Sequence, residues 1–307
     1  MHTKSAIISA LGYFDLFNYP LTQREIWLFL QHPAPYRQFG EALSGLVQRA
    51  VVNKFGEFYS LRHEPGDFAS RSEGNKKAVI LLRKARKVAK LVSLFPFVRG
   101  VGVSGSLSKN FANDSSDIDL FIITAPNRLW LARTILHGFK KLTFIFNRQH
   151  LYCMNYFVDQ QQLEIEEKNI YTATEVATLI PMQGETAFKE FFAANAWTKS
   201  FLPHHFLRVS SAANRKVQPV PWLVEKALGG RQGNRLDDYL MEMTNRRWRE
   251  KTLNNQKNSR GVTMSMIARK HLAKPDPAFF QEGLLKQYAE KIEQLAKQFE
   301  ADYAIVK

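Results

Sequence analysis

Val101-Gly102-Val103-Ser104-Gly105-Ser106-Leu107-Ser108 runs through a polar spacer into Ser116-Asp117-Ile118-Asp119-Leu120-Phe121-Ile122-Ile123, and this stretch decides how the sequence reads. Residues 97–103 have the pattern of a strand that breaks into a Gly-Ser turn. Gly105 tolerates positive φ and lets the backbone approach a ligand closely. N–H groups exposed in such a turn can cradle phosphate oxygens, and Ser106 adds a hydroxyl donor. Residues 117–123 read as a second strand, apolar after its first residues. Side chains alternate along a strand, so Asp117 and Asp119 point to one face and Ile118 to the other. Two neighbouring carboxylates repel unless a cation lies between them. Mg2+ (or Mn2+) suits hard oxygen ligands, a few from protein and others from a substrate phosphate. A phosphate binder and a metal binder on adjacent strand ends are what activation of a triphosphate requires.

Working outward, residue 126 or 127 opens a helix to about Phe144, residues 151–158 read as a third strand, and residues 163–166 offer a fourth. Strand, turn, strand, helix, strand is a mixed α/β order. The Gly-Ser turn, the spacer and Asp117-Ile118-Asp119 together resemble the nucleotidyltransferase superfamily related to DNA polymerase beta. The wider match, including Arg128 to Arg133, is similar to bacterial stand-alone nucleotidyltransferase-domain proteins with a winged-helix-like front. The resemblance implies transfer of a nucleoside monophosphate from an NTP such as ATP to an acceptor, with release of pyrophosphate. It assigns Gly105 and Ser106 to triphosphate binding and Asp117 and Asp119 to the metal. Lys109 is within reach of triphosphate oxygens.

Many such enzymes use a third carboxylate on the next strand. Here that strand carries Asn155, an amide that cannot act as a base. Asp159 stands at its end, and Glu164, Glu166 and Glu167 follow. Glu164 is the preferred third catalytic acid, because it alternates with apolar Leu163 and Ile165. Without such an acid the chain would be a degenerate fold acting as a nucleic-acid-binding or regulatory protein. Residues 171–179 read as a helix behind the site, with Glu175 structural, and Trp130 as core.

Ahead of this core, residues 5–17, 23–30 and 38–49 have helical spacing, with Thr22 as an N-cap, and residues 51–52 and 58–61 form a hairpin. Three helices and a hairpin give winged-helix order over residues 1–64, a common DNA reader, although Glu41 on the third helix would face phosphates badly. Residues 63–75 read as a polar link, and 76–94 as a basic amphipathic helix with a solvated face. After Ile170 the chain reads as mainly helical, clearest over 236–252 and 283–303. The expected architecture is therefore α/β (α+β): a winged-helix-like domain, a mixed-sheet nucleotidyltransferase core over 76–200 and a helical C-terminal part over 201–307.

The 307 residues carry a formal charge of +15, which favours anionic partners: nucleotides, nucleic acid or an anionic surface. A C-terminal basic group, Arg246, Arg247, Arg249, Lys251, Lys257, Arg260, Arg269, Lys270 and Lys274, is one candidate nucleic-acid contact. The acceptor is a small molecule, a sugar or a nucleic acid. A single cysteine, Cys153, reads as a buried thiol. No apolar run reaches the roughly 20 residues of a membrane span, and no secretory signal pattern is present, so a cytoplasmic protein is expected.

Overall fold

The computed structural model describes residues 2–143, 151–207, 219–257, 263, 265–275 and 280–304. The chain opens with α1 (His2–Asp15), the short strand β1 (Leu21–Thr22), α2 (Gln23–Leu28), α3 (Tyr36–Gln48) and the strands β2 (Asn53–Phe55) and β3 (Phe58–Ser60). Thr22 caps α2 in a reciprocal box: its hydroxyl accepts from Glu25 N–H, and the Glu25 carboxylate accepts from Thr22 N–H. The three strands pair in the order β1-β3-β2. The hairpin's first strand is Asn53–Phe55, not residues 51–52. Val52 is buried in the turn after α3, where packing outweighs its β propensity.

Next comes α4 (Pro65–Val92), which absorbs the expected polar link. Pro65 starts this helix, where a missing N–H costs nothing. Gly74 does not break it, because the Phe111 ring fills the space where a side chain would stand, and an added methyl would clash with that ring. Tertiary packing here overrides glycine's poor helix propensity.

The central elements are β4 (Val98–Val103), the single turn α5 (Gly105–Ser108), β5 (Asp119–Thr124), α6 (Leu129–Thr143), β6 (Cys153–Asp159), α7 (Ile170–Thr178), β7 (Ile180–Gln183) and α8 (Glu185–Ala194). Phe144, the expected end of α6, lies outside the described residues. After these come α9 (Pro219–Ala227), α10 (Arg231–Leu253), β8 (Met266–Arg269), β9 (Leu272–Pro275) and α11 (Phe280–Ala304). The main sheet has the order β7-β4-β5-β6-β9-β8. Among the described strands, only β5 and β6 pair in parallel, with α6 as their crossover. No strand spans residues 163–166, which form bends after the β6 turn. The C-terminal part is not purely helical either: β8 and β9 form a hairpin that adds to β6. Pro181 lies in β7, an edge strand, where a missing N–H is tolerated.

β5 sits near the centre of the sheet and is buried on both faces. Leu120 and Ile122 join α4, α6 and Met154 in one core. Phe121 and Ile123 join α7, α8 and Val158 in another. The N-terminal elements form a third core that includes Ile170, Ala173 and Ala177 of α7 and Leu202. On the same side, α11 binds α1: the Tyr288 hydroxyl donates to the Ser9 carbonyl at 3.3 Å and accepts from Gln31 at 2.6 Å.

Arg71, 2% exposed, joins these parts. Its guanidinium pairs with Glu25 at 2.6 Å, donates to the Pro20 carbonyl at 3.1 Å and stacks 4.1 Å from the Tyr19 ring centroid. It also bonds Asn75 and donates to the Asn110 carbonyl. Tyr19 donates to the Lys109 carbonyl. The N-terminal unit therefore grips the spacer between the Gly-Ser turn and the aspartates. Arg71→Met is expected to cost about 2–3 kcal/mol, less than a fully buried pair because the Glu25 side chain stays 25% exposed. Denaturant unfolding checks this, and an unchanged midpoint would contradict it.

His137 on α6 has a buried Nε2 without a hydrogen-bond partner among the described residues. Burial, then Arg133, Lys140 and Lys141, lower its pKa to about 3. Between the ordinary value of 6.5 and about 3, the unfolded chain binds the extra proton and the folded one does not. Stability from this group is complete above that window and falls as pH drops through it, by up to about 1.4 kcal/mol per pH unit. His137→Leu is expected to flatten the acid side of the Tm-against-pH curve. Parallel curves for wild type and variant would contradict this.

Candidate active site

β4 ends at Val103, and Ser104 continues extended before the chain turns at Gly105, whose φ is +68°. Ser104 N–H donates to the Asp119 carbonyl at 2.9 Å, which ties the turn to the first residue of β5. A methyl on Gly105 would stand 2.7 Å from Asp119 Oδ2. The carboxylate thus lies directly against the turn, and only glycine leaves room for it. Ser106 is exposed at the turn, while Leu107 anchors it in the core. The first N–H groups of a helical turn have no partner within it.

β5 begins at Asp119, two residues later than the sequence pattern suggests. Alternation still extends back to Asp117: Ile118 and Leu120 are fully buried, while Asp117 and Asp119 are partly exposed. Asp119 shares the parity of Phe121 and Ile123, which face α7 and α8.

Lys109 is at the turn but is not an exposed spacer lysine. Its ammonium donates to the Gly105 carbonyl at 3.2 Å and pairs with Glu175 of α7 at 2.7 Å. Ser108 donates to the Gly105 carbonyl at 2.8 Å. Tyr171, one turn before Glu175, has its phenol pKa raised by burial first, then by the negative charges of Glu175 and Asp119 and by Tyr156. It therefore stays a neutral hydroxyl beside the acids. Glu175, expected behind the site, thus reaches the turn, and Tyr171 joins it. The available signal was their four-residue spacing on a helix capped by Asn169, which puts both on one face.

The other acids have partners of their own. Glu164, the preferred third acid, is about half exposed and pairs with Lys168 at 2.6 Å. Glu166 bonds Arg269, and Glu167 pairs with Lys274 at 2.8 Å. Asp159 pairs with Thr124, at the far end of β5 from Asp119, roughly 16 Å along the strand. It is fully buried, bound to His271 at 2.9 Å and accepting from Asn127 N–H at 3.0 Å. Cys153 faces Asp119 across the parallel pair and is half-buried rather than buried. Asn155 sits in β6, but its side chain lies outside the described residues. Among the described residues, no group of three His, Cys, Asp or Glu could hold a metal ion.

Arg128 and Trp130, in the stretch that follows β5, have structural roles. Arg128 is buried and donates to the Leu228 and Gly229 carbonyls at 2.8 and 2.6 Å, closing the end of α9. Trp130 is core, its indole N–H donating to the Arg269 carbonyl at 3.0 Å.

Among the described residues, no helix is long and apolar enough to cross a membrane. A family model described as a nucleotidyltransferase domain matches residues 84–190. No curated protein and no solved structure matches the chain. The matched segment runs from the second half of α4 into α8 and contains Gly105, Ser106, Lys109, Asp117, Asp119 and Glu175. Residues 84–190 of this chain are a nucleotidyltransferase domain, consistent with the DNA polymerase beta-like superfamily.

Proposed function

We propose that this protein moves a nucleoside monophosphate from an NTP to a hydroxyl acceptor and uses Mg2+ or Mn2+. The observation that carries this reading is the contact of the Asp119 carboxylate with the Gly105 turn, 2.7 Å from where a Cβ would be. It sets a candidate phosphate cradle and a candidate metal ligand side by side. The donor set suits Mg2+: two partly exposed carboxylates, with the remaining ligands left to phosphate and water. Bound there, the ion would supply charge neutralisation on the triphosphate and activation of the acceptor oxygen.

The protein's own groups divide the rest of the work. Asp117 and Asp119 would hold the cation. The backbone N–H groups at Gly105 and Ser106, with the Ser106 hydroxyl, bind phosphate oxygens. Lys109 exchanges its Glu175 partner for a phosphate oxygen. Glu175 then becomes a carboxylate beside the turn able to accept the acceptor's proton, the role expected of Glu164 from its sequence neighbours. Tyr171 donates a hydrogen bond within this acid cluster. The element order and the β1-β3-β2 sheet support reading the first 64 residues as a winged-helix-like module.

A second reading rests on Cys153, which occupies the β6 position opposite Asp119 where a third carboxylate would stand. On that reading the fold binds nucleotide without transfer. Incubation with each NTP, Mg2+ and a panel of hydroxyl acceptors separates the two. The enzyme reading expects pyrophosphate release matched by labelled acceptor. Nucleotide binding with no pyrophosphate from any NTP and acceptor would favour the second.

A further inference from the structure

From Gly74 to Asn113 the chain has no acidic residue and nine Lys or Arg. Three of the nine are neutralised by acids brought in from elsewhere: Lys77 by Asp114, Arg99 by Glu225 and Lys109 by Glu175. The other six, Lys76, Arg83, Lys84, Arg86, Lys87 and Lys90, lie on α4 and are exposed. No acidic side chain pairs with any of them among the described residues. Lys76, Arg83, Lys87 and Lys90 are spaced by seven, four and three residues, so they form one stripe. The stripe is opposite Ala78, Ala85, Ala89 and Val92, which are buried against the sheet.

Such a stripe is not the ordinary solvated face of this molecule. On α11 the exposed charges alternate in sign and pair one turn apart, as Lys286 with Glu290 and Lys297 with Glu293, and on α10 Arg246 pairs with Glu242. On α4 the one-turn neighbours Arg83 and Lys87, and Arg86 and Lys90, carry like charges. Each such pair destabilises the helix by about 0.2–0.5 kcal/mol. The C-terminal basic group is more broken: Arg246, Arg269, Lys270 and Lys274 are paired with Glu242, Glu166, Asp238 and Glu167, and Glu250 stands between Arg249 and Lys251. Arg260 lies outside the described residues.

The stripe also has a direction. Its first end adjoins the catalytic spacer, because Ala112 N–H donates to the Gly74 carbonyl and Lys77 holds Asp114. From Lys76 it runs about 21 Å along the helix, away from that end. The apolar face of α4 is spent on the core, and only Val79, Ile80 and Leu91 stand out among the charges. That leaves no apolar face of the size a membrane-surface helix inserts. Repeated, unpaired positive charge along a line is complementary to a phosphodiester backbone.

We infer that the α4 stripe, Lys76, Arg83, Lys87 and Lys90, holds the backbone of a single-stranded nucleic acid whose end is the acceptor at the Asp117–Asp119 site. The acceptor assignment rests on the function proposed above; the docking surface does not. The test compares wild type with Lys76→Gln/Arg83→Gln/Lys87→Gln/Lys90→Gln. Fluorescein-labelled single-stranded RNA and DNA oligonucleotides, and phosphatidylserine vesicles, are the probes. All four side chains are solvent-facing, so circular dichroism should match between the proteins.

The expected result is salt-sensitive strand binding by wild type. In the variant, the slope of log Kd against log salt should fall by about 3, and low-salt affinity by about tenfold or more. The acceptor KM for the strand should rise while NTP binding is unchanged. Absence of oligonucleotide binding, equal binding by the variant, or stripe-dependent binding of vesicles instead of strands would overturn the inference. Stripe-dependent strand binding by a protein that binds no NTP would leave the docking surface standing. It would overturn the acceptor assignment together with the function it rests on.

Discussion

Asp117→Ala and Asp119→Ala are each expected to reduce NTP-dependent pyrophosphate release by roughly a thousandfold or more while leaving the fold intact. The fold prediction follows from burial. Both carboxylates are partly exposed at the start of a strand whose anchoring residues, Ile118, Leu120 and Ile122, are fully buried. Either substitution leaves those anchors in place, so the Tm should hold. Loss of activity with an unchanged Tm is the signature of a metal-holding pair. Loss of activity with a collapsed Tm would mean the aspartates serve the fold. Retained activity would remove them from the site.

Gly105→Ala is the second large effect. The residue sits at φ +68°, which costs a non-glycine residue about 1 kcal/mol. Its new methyl would also meet Asp119 Oδ2 at 2.7 Å, too close for any real contact, so the carboxylate must move. A misplacement on the order of 1 Å at a reacting centre costs about a hundredfold in rate. The expected outcome is a roughly hundredfold lower kcat with only about 1–2 kcal/mol of lost stability. A variant with wild-type kcat would show that the position of Asp119 does not matter to the chemistry.

What was legible in the sequence was what is local. The turn at Gly105, the alternation through Asp117 and Asp119, and the apolar run of β5 are encoded within about twenty residues, and the structure brings the turn and Asp119 into contact. The helices α1, α2, α3, α6, α10 and α11 were also found from their apolar spacing, with ends shifted by a few residues. What was missed depends on distant partners. Residues 266–275 are weak as isolated strands and become β8 and β9 because β6 offers an open edge. The polar run 63–75 becomes helix because Phe111 fills the space at Gly74 and Arg71 finds Glu25, Pro20 and Asn110. Glu164 looked like a strand acid from its apolar neighbours. Leu163 and Ile165 are buried, but Asn195 takes the backbone bonds a strand neighbour would have made. Glu175 could be placed at the turn only by the packing that brings α7 to Lys109.

The most direct test of the central claim is calorimetric titration of each NTP, with and without Mg2+, into wild type and Asp117→Asn/Asp119→Asn. The account predicts binding by wild type that requires the metal, and loss of that binding in the double variant with its thermal unfolding retained. Equal binding by both proteins, or no binding of any NTP by folded wild type, would contradict it.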